Sequence, residues 1–380
     1  MDKIDLIRTA CEELLSYGLW DHKTRFKRTV KKYIFRQPIA EEDLIFWPTG
    51  LLAVGLWHCR QEILARRGKE TGSGAGNGEN TGRETQDFLL QKIETALSVY
   101  FTRWIRKECP IYYLDDLLAG EVVLAICEEY EKDHAENGIV NEKNIAKYQS
   151  ALVRLADYAF SYPTDETGSF PYRANQQNGH IFVDSAGLTC PFLYEYGRFY
   201  DIDESMELAV KQIANFVAYG TDAATGLPYH GYDVVTGNKY GIIGWGRSVG
   251  WLLRGMAGSM STVYGLDRLK ESFCNLLDAV LLWQRKDGYF SWQLQAMEGP
   301  ADTSATAMIC YALQEGIRMR TLQGEGYQAA LAKGMHAIHK STKNGRVYDC
   351  LGECEGFAQY PQRYGDYPWA LGVALMLDEK

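Results

Sequence analysis

Residues 185–197, SAGLTCPFLYEYG, begin with three small residues and continue as a nearly all-apolar run. Five other stretches repeat this pattern at intervals of roughly 55 to 70 residues. They lie near Gly50, Gly120, Gly250, Ala305 and Ala370. Small residues let neighbouring backbones approach closely, so each stretch predicts a buried helix packed against others of its kind.

More polar, amphipathic stretches separate these runs, for example residues 142–160 and 206–220. An amphipathic outer helix alternating with an apolar inner helix, six times over, predicts an all-α (α/α)6 barrel of six helical hairpins. An open helical-repeat scaffold has the same period, but the count of six and the aromatic-rich loops favour a closed ring. We expect a single domain over residues 1–380, with a flexible Gly- and Glu-rich loop at about residues 69–86.

Composition excludes several classes of protein. The net charge of −9 and the lack of a basic stripe argue against nucleic-acid binding. No apolar run approaches the roughly 18 residues that a membrane span needs, and the first residues predict an amphipathic helix, not a secretion signal. Nine scattered cysteines suit free thiols in a reducing compartment. We therefore expect a cytoplasmic protein, either a monomer or a weak homodimer, that has no membrane or nucleic-acid partner.

The chain has 25 tyrosines and nine tryptophans, many beside Gly or Pro in loop-like stretches. Such rings suit a sugar-binding cleft, although ordinary half-buried aromatic residues would give the same composition. The loops before the inner helices should converge at one end of the barrel and carry the chemistry. Candidate site residues in or just upstream of these loops are Trp47, Asp115, Asp116, Tyr172, Arg173, Asp184, His230, Asp233, Trp245, Arg247 and Trp251.

The stretch 244–251, GWGRSVGW, concentrates two indoles, one arginine and three glycines. We expect Trp245 and Trp251 to form apolar walls for sugar rings and Arg247 to present its planar fork to a carboxylate. The indoles could instead fill the core between inner helices. Asp115 could instead be a helix cap, and Arg173 could either bind a uronate carboxylate or pair with a surface acid.

The ordered motifs DDLLAG, FPYR, HIFVDSAGLTCPFL, YHGYD, WGRSVGW, and DGYFSWQL with DTSATAM resemble those of the unsaturated rhamnogalacturonyl hydrolases of glycoside hydrolase family 105. They are similar, more distantly, to the unsaturated glucuronyl hydrolases of family 88. The resemblance runs from about Trp47 to the C-terminus. It implies an (α/α)6 barrel that acts, without metal or cofactor, on lyase-generated oligosaccharides carrying a 4,5-unsaturated uronic acid, with galacturonyl and pectin-derived substrates favoured.

The resemblance also implies roles for residues. Asp184 matches the general acid/base aspartate, and Asp115 matches the other site aspartate, with Asp116 as the alternative. His230 matches the histidine of an HGxD motif, and Trp245, Arg247 and Trp251 match a WxRGNGW-type motif that lines the sugar site. Ser248 and Val249 replace the usual Gly-Asn, and Phe182 stands where an indole is common. These departures concern specificity more than reaction type, because the charged residues remain.

The implied chemistry explains these residue types. An unsaturated uronide is a vinyl ether, which is cleaved by protonation at C4, addition of water at C5 and opening of the resulting hemiketal. One carboxyl group can act first as acid and then as base, so Asp184 is expected to hold a proton near neutral pH, helped by apolar neighbours and by the charge of Asp115. A conventional barrel glycosidase would need a second carboxylate, from Asp115 or Asp233, and a sugar epimerase would need two histidines. A noncatalytic helical-repeat binding protein is the third alternative.

Overall fold

The structure, a computed structural model, describes residues 2–17, 43–70, 80–133, 139, 142–174, 179–260, 266–357 and 359–378. Within these residues it contains twelve α-helices of two kinds. The apolar helices that follow the small-residue stretches are α2 (Trp47–Glu70), α4 (Gly120–Asp133), α6 (Asp184–Tyr200), α8 (Gly246–Gly258), α10 (Thr303–Arg318) and α12 (Pro368–Leu375). The other helices are α1 (Lys3–Ser16), α3 (Asn80–Arg106), α5 (Glu142–Phe160), α7 (Asp203–Gly220), α9 (Leu266–Leu281) and α11 (Glu325–Lys340).

The apolar helices form a closed ring. Contacts run in chain order from α2 through α4, α6, α8 and α10 to α12, and α12 packs in turn against α2. The amphipathic helices lie outside this ring, for example α7 against α6 and α11 against α10. This arrangement confirms the predicted (α/α)6 barrel and excludes the open scaffold.

Glycine determines how closely two of the inner helices approach. A Cβ atom at Gly187 of α6 would lie 2.6 Å from the carbonyl oxygen of Trp251 and 2.6 Å from its ring carbon Cε3, on α8. Real Cβ atoms do not approach other atoms so closely, so the two helices can pack at this distance only with glycine there.

Short strands occupy the connections between helices. The strands β1 (Ile181–Phe182), β2 (Gly231–Asp233) and β3 (Asn238–Tyr240) form one antiparallel sheet in that order. Two further antiparallel pairs join β4 (Thr342–Lys343) to β5 (Arg346–Val347) and β6 (Cys350–Leu351) to β7 (Tyr364–Gly365). Phe182 faces Gly231 in the register of β1 and β2, so the start of α6 lies beside the start of β2.

The range predicted for the flexible loop, residues 69–86, includes residues that are helical in the structure. Helix α2 continues to Glu70, and α3 begins at Asn80, so residues 80–86 are helical. Residues 71–79, the rest of the predicted loop, lie outside the described residues. Of the helices that the structure describes, none combines the length and the apolar character needed to cross a membrane.

Candidate active site

The N-terminal ends of the inner helices meet at one end of the barrel, as the sequence predicts. The ring of Trp47, at the start of α2, lies 5.6 Å from that of Trp251 on α8 and 5.2 Å from that of Trp369 on α12. Asp184 is the first residue of α6. The aspartate therefore stands where the positive end of the helix dipole favours a negative charge.

Sheet register brings Asp184 and His230 together. The backbone N–H of Val183 donates to the carbonyl of His230 at 3.0 Å, and the Oδ2 atom of Asp184 lies 3.2 Å from Nε2 of His230. The two atoms are close but are not aligned as a hydrogen bond. The imidazole is 1% exposed, and the rings of Trp245 at 4.6 Å and Phe182 at 4.9 Å lie around it. The pair thus lies among aromatic rings that exclude water from the imidazole.

Asp115 lies in the 3₁₀ helix Leu114–Ala119, just before α4. The hydroxyl of Tyr172 donates to its Oδ2 at 3.0 Å, whereas its Oδ1 is buried without a hydrogen-bond partner among the described residues. The pKa of Asp115 is raised to about 7, chiefly by burial; the hydrogen bond from Tyr172 opposes this rise, and the nearby charge of Asp184 contributes to it. Asp115 is therefore a carboxyl group that exchanges its proton near neutral pH.

Asp116 lies beneath the site. It is 0% exposed, and its Oδ2 accepts hydrogen bonds from the backbone N–H groups of Tyr112 at 2.7 Å and Tyr113 at 3.2 Å. Burial and the adjacent Asp43 raise the pKa of Asp116 well above its usual value. The sequence left open whether Asp115 or Asp116 is the second carboxylate of the site. Asp116 has no exposed surface with which to contact a substrate, so the structure favours Asp115 for this role.

The indoles of the GWGRSVGW stretch are core residues in this structure. Trp245 is 1% and Trp251 is 2% exposed. Trp251 packs on Gly187 and Trp47, and Trp245 packs on His230. Trp47, at the same end of the barrel, is 8% exposed. Closure of the barrel buries the rings of Trp245 and Trp251, so the apolar walls for sugar rings expected from the sequence stay a prediction.

Arg247 does not point into open space. Its Nη1 donates to the carbonyl of Leu351, and its Nη2 donates to the carbonyl of Gly352 at 2.7 Å. The guanidinium is 2% exposed and lies 4.9 Å from the ring centre of Trp245. The planar fork predicted to hold a carboxylate instead holds two backbone carbonyls of the chain segment before α12.

Arg173 supplies a cation at the mouth of the site. Its guanidinium carbon lies 4.1 Å from the ring centre of Tyr113 and 5.0 Å from that of Tyr172. The side chain is partly exposed, and its charge acts on Asp115. Asp233, by contrast, is the last residue of β2, and its Oδ1 accepts from the backbone N–H of Val235 in the following turn at 2.9 Å. This bond gives Asp233 a role in the turn.

The sequence interpretation missed the segment at residues 350–365, called here the closing segment. The ring of its Phe357 lies 4.0 Å from that of Phe182, and the hydroxyl of its Tyr360 lies 3.0 Å from Nδ1 of His230. Its Glu353 carboxylate accepts a hydrogen bond from Trp47. A signal was available, because this aromatic-rich stretch precedes the last inner helix just as the other site loops precede theirs.

One group of side chains in the described residues has the spacing of a metal site: His58, Glu62 and Asp378. It lies apart from the residues above, and Glu62 forms an ion pair with Lys3 at 2.6 Å. This ion pair already compensates the charge of Glu62.

Comparisons with known proteins agree with this architecture. The family model described as Glycosyl Hydrolase Family 88 matches residues 95–377. Protein Atu3128 of Agrobacterium fabrum is 32% identical over 161 residues, which are 39% of this chain and 69% of that protein.

Two solved structures share the fold. A possible member of the GH105 family from Klebsiella pneumoniae is 16% identical with a TM-score of 0.73, covering 98% of this chain and 90% of its own. The unsaturated glucuronyl hydrolase of Bacillus sp. GL1, responsible for the degradation of glycosaminoglycan, is 15% identical with a TM-score of 0.62, covering 97% of this chain and 95% of its own.

Proposed function

Because the chain belongs to glycosyl hydrolase family 88 and is therefore a glycoside hydrolase, we propose that it removes a 4,5-unsaturated uronic acid from the non-reducing end of lyase-generated oligosaccharides. The galacturonyl epimer, as found in pectin fragments, is the proposed substrate. The observation that carries the proposal is the Asp184–His230 contact at 3.2 Å beside the buried Asp115. These groups provide one proton-transferring centre, in which the imidazole is buried and the Asp184 carboxyl group remains partly exposed.

The reaction begins at the carbon–carbon double bond of the uronide. Asp184 donates its proton to C4, and the π electrons of the C4–C5 bond form the new C–H bond. This leaves an oxocarbenium-like centre at C5, which water attacks while the carboxylate of Asp184 takes the proton from it. The hemiketal then opens and releases the aglycone, and Asp184 holds a proton again for the next cycle.

Asp115 assists through its charge and its own proton. Its carboxyl group is buried, acts electrostatically on Asp184, and accepts the hydroxyl proton of Tyr172 in a hydrogen bond. Two nearby carboxyl groups resist simultaneous ionisation, which favours a proton on one of them at neutral pH. In this proposal Asp184 transfers the proton and Asp115 keeps it available.

Arg173 is the proposed partner of the uronate carboxylate. The Nη atoms of Arg247 are bonded to backbone carbonyls, whereas Arg173 is partly exposed and lies near Asp115. Its guanidinium carbon packs 4.1 Å from the centre of the Tyr113 ring, and a guanidinium can bind a carboxylate through two parallel hydrogen bonds.

The test is a set of unsaturated disaccharides that differ in the uronic acid and the aglycone. We expect the ultraviolet absorbance of the unsaturated uronide to disappear with release of the saturated sugar. If no disaccharide in the set loses its absorbance, the proposal is wrong.

Reaction in heavy-oxygen water distinguishes this mechanism from the conventional one. Hydration of the vinyl ether places the label at C5 of the uronide product. Ordinary hydrolysis with two flanking carboxylates would place it at C1.

A further inference from the structure

His230 has two polar neighbours, one at each ring nitrogen. Nε2 lies 3.2 Å from Oδ2 of Asp184, and Nδ1 lies 3.0 Å from the hydroxyl oxygen of Tyr360. The remaining space around the ring is filled by aromatic side chains, among them Trp245 and Phe357. The protonation of the two nitrogens is therefore determined by the two polar contacts.

The other hydrogen bonds of the Tyr360 hydroxyl indicate which partner donates in its contact with His230. Its hydroxyl donates to the carbonyl oxygen of Phe357 at 3.0 Å, and it accepts from the backbone N–H of Ile242 at 3.3 Å. A carbonyl can only accept and a hydroxyl has a single proton, so the oxygen of Tyr360 faces His230 as an acceptor. Nδ1 of His230 must then carry a hydrogen.

The hydrogen on Nδ1 determines the state of the other ring nitrogen, Nε2. In a neutral imidazole with hydrogen on Nδ1, Nε2 carries a lone pair and lies 3.2 Å from a carboxylate oxygen of Asp184. At 3.2 Å the unprotonated Nε2 and the carboxylate oxygen repel each other, and a proton on either group relieves this repulsion. The pair is therefore more stable when it holds a proton, either on the carboxyl group or on Nε2.

We infer that Tyr360 is a positioning residue, which holds His230 with hydrogen on Nδ1 so that the Asp184–His230 pair retains the proton that hydrolysis requires. This inference rests on the proposed function for its kinetic consequence, but the hydrogen position itself does not depend on any activity. Tyr360 lies in the closing segment, 130 residues from His230 in sequence, and touches no reacting atom in the proposed mechanism.

Removal of the hydroxyl makes a specific change. In Tyr360→Phe, the imidazole is free to carry its hydrogen on Nε2 and to donate it to the Asp184 carboxylate. The repulsion between Nε2 and the Asp184 carboxylate is then removed, so the Asp184–His230 pair loses its proton at lower pH. We expect kcat to fall about 10- to 100-fold with KM changed less than about twofold, and the alkaline limb of the kcat/KM profile to move to lower pH.

Other titratable groups act on Asp184 from neighbouring elements of the described structure. They are Asp115, Tyr172, Cys354 and Tyr360. Only Tyr360 changes in the variant, so a shift of the profile reports on its hydroxyl.

Tyr364→Phe is the matched control. The hydroxyl of Tyr364 lies in the same closing segment and donates to Gln362 at 2.9 Å, without a contact to His230. It should leave kcat and the pH profile unchanged. Equal loss in the two variants, or a loss in Tyr360→Phe without any shift of its pH profile, would overturn the inference.

Nitrogen-15 spectra of histidine-labelled wild-type protein test the hydrogen position directly, with His230→Asn used for assignment. We expect a protonated Nδ1 at neutral pH. A neutral His230 with hydrogen only on Nε2 would refute the inference even if Tyr360→Phe failed to fold. A protonated Nδ1 in a protein inactive on every unsaturated disaccharide would support the inference and reject the proposed function.

Discussion

The pKa of Asp115 leads to a prediction about stability that needs no substrate. An ordinary aspartate has a pKa of 3.8, whereas the folded protein raises that of Asp115 to about 7. Between these values the unfolded chain binds fewer protons than the folded one at this position, so stability falls as pH rises through this window. Above about pH 7 the penalty is complete, because the buried carboxyl group is then ionised.

Asp115→Asn removes the penalty and keeps the shape. The amide oxygen can still accept the hydroxyl hydrogen of Tyr172. At about 1.4 kcal/mol for each pKa unit, the shift corresponds to a stabilisation of about 4 kcal/mol at pH 8 and about 1.5 kcal/mol at pH 5. The side chain is only 6% exposed, so solvent screening reduces these figures little.

Urea unfolding of both proteins at pH 5, 6, 7 and 8 measures the difference in free energy of unfolding. We expect the advantage of the variant to grow by about 2.5 kcal/mol between pH 5 and pH 8. Asp201→Asn is the control, because Asp201 is exposed in a left-handed conformation that asparagine also adopts; it should change stability by less than about 0.5 kcal/mol at each pH. An advantage for Asp115→Asn that stays constant over this range would refute the reasoning.

Three further changes test the site and the barrel. Asp184→Asn should lower kcat at least about 100-fold with the fold intact, and more than a tenth of wild-type turnover would contradict its role as acid and base. Arg247→Lys should weaken the hydrogen bonds to two backbone carbonyls and lower the free energy of unfolding by about 2 kcal/mol. It should slow the hydrolysis of an acidic substrate and of its carboxyl-reduced analogue equally. A selective loss on the acidic substrate would instead indicate direct anion binding. Gly187→Ala should destabilise the barrel by about 1–3 kcal/mol in thermal unfolding, because its Cβ would lie 2.6 Å from Trp251, and an unchanged melting temperature would show that α6 and α8 can separate.

The fold could be predicted from the sequence because its information is periodic. Each inner helix repeats the same small-residue start and apolar run, and the structure confirms that these helices form the closed ring. The end of the barrel that carries the site was predictable for the same reason, because the loops before the inner helices all lie at that end. The length of the loop predicted at residues 69–86 was not predictable, because residues 80–86 are polar but belong to a helix whose later residues have a buried face.

The partners of individual side chains were harder to predict. Arg247 looks like an anion-binding residue in its local motif, but its acceptors lie 104 and 105 residues later in the chain. Trp251 sits in a loop-to-helix motif typical of sugar sites, and closure of the ring buries it against Gly187. Local sequence specifies which groups are present, whereas the long-range packing decides which of them remain exposed.

The closing segment connects these observations. Through Arg247 it is attached to α8, through Glu353 to Trp47, and through Tyr360 to His230. The segment therefore contacts residues from three parts of the barrel. In the mechanism inferred above, Tyr360 acts on Asp184 only through His230, so a change in the closing segment that removes the Tyr360 contact should impair proton transfer without moving Asp184 itself.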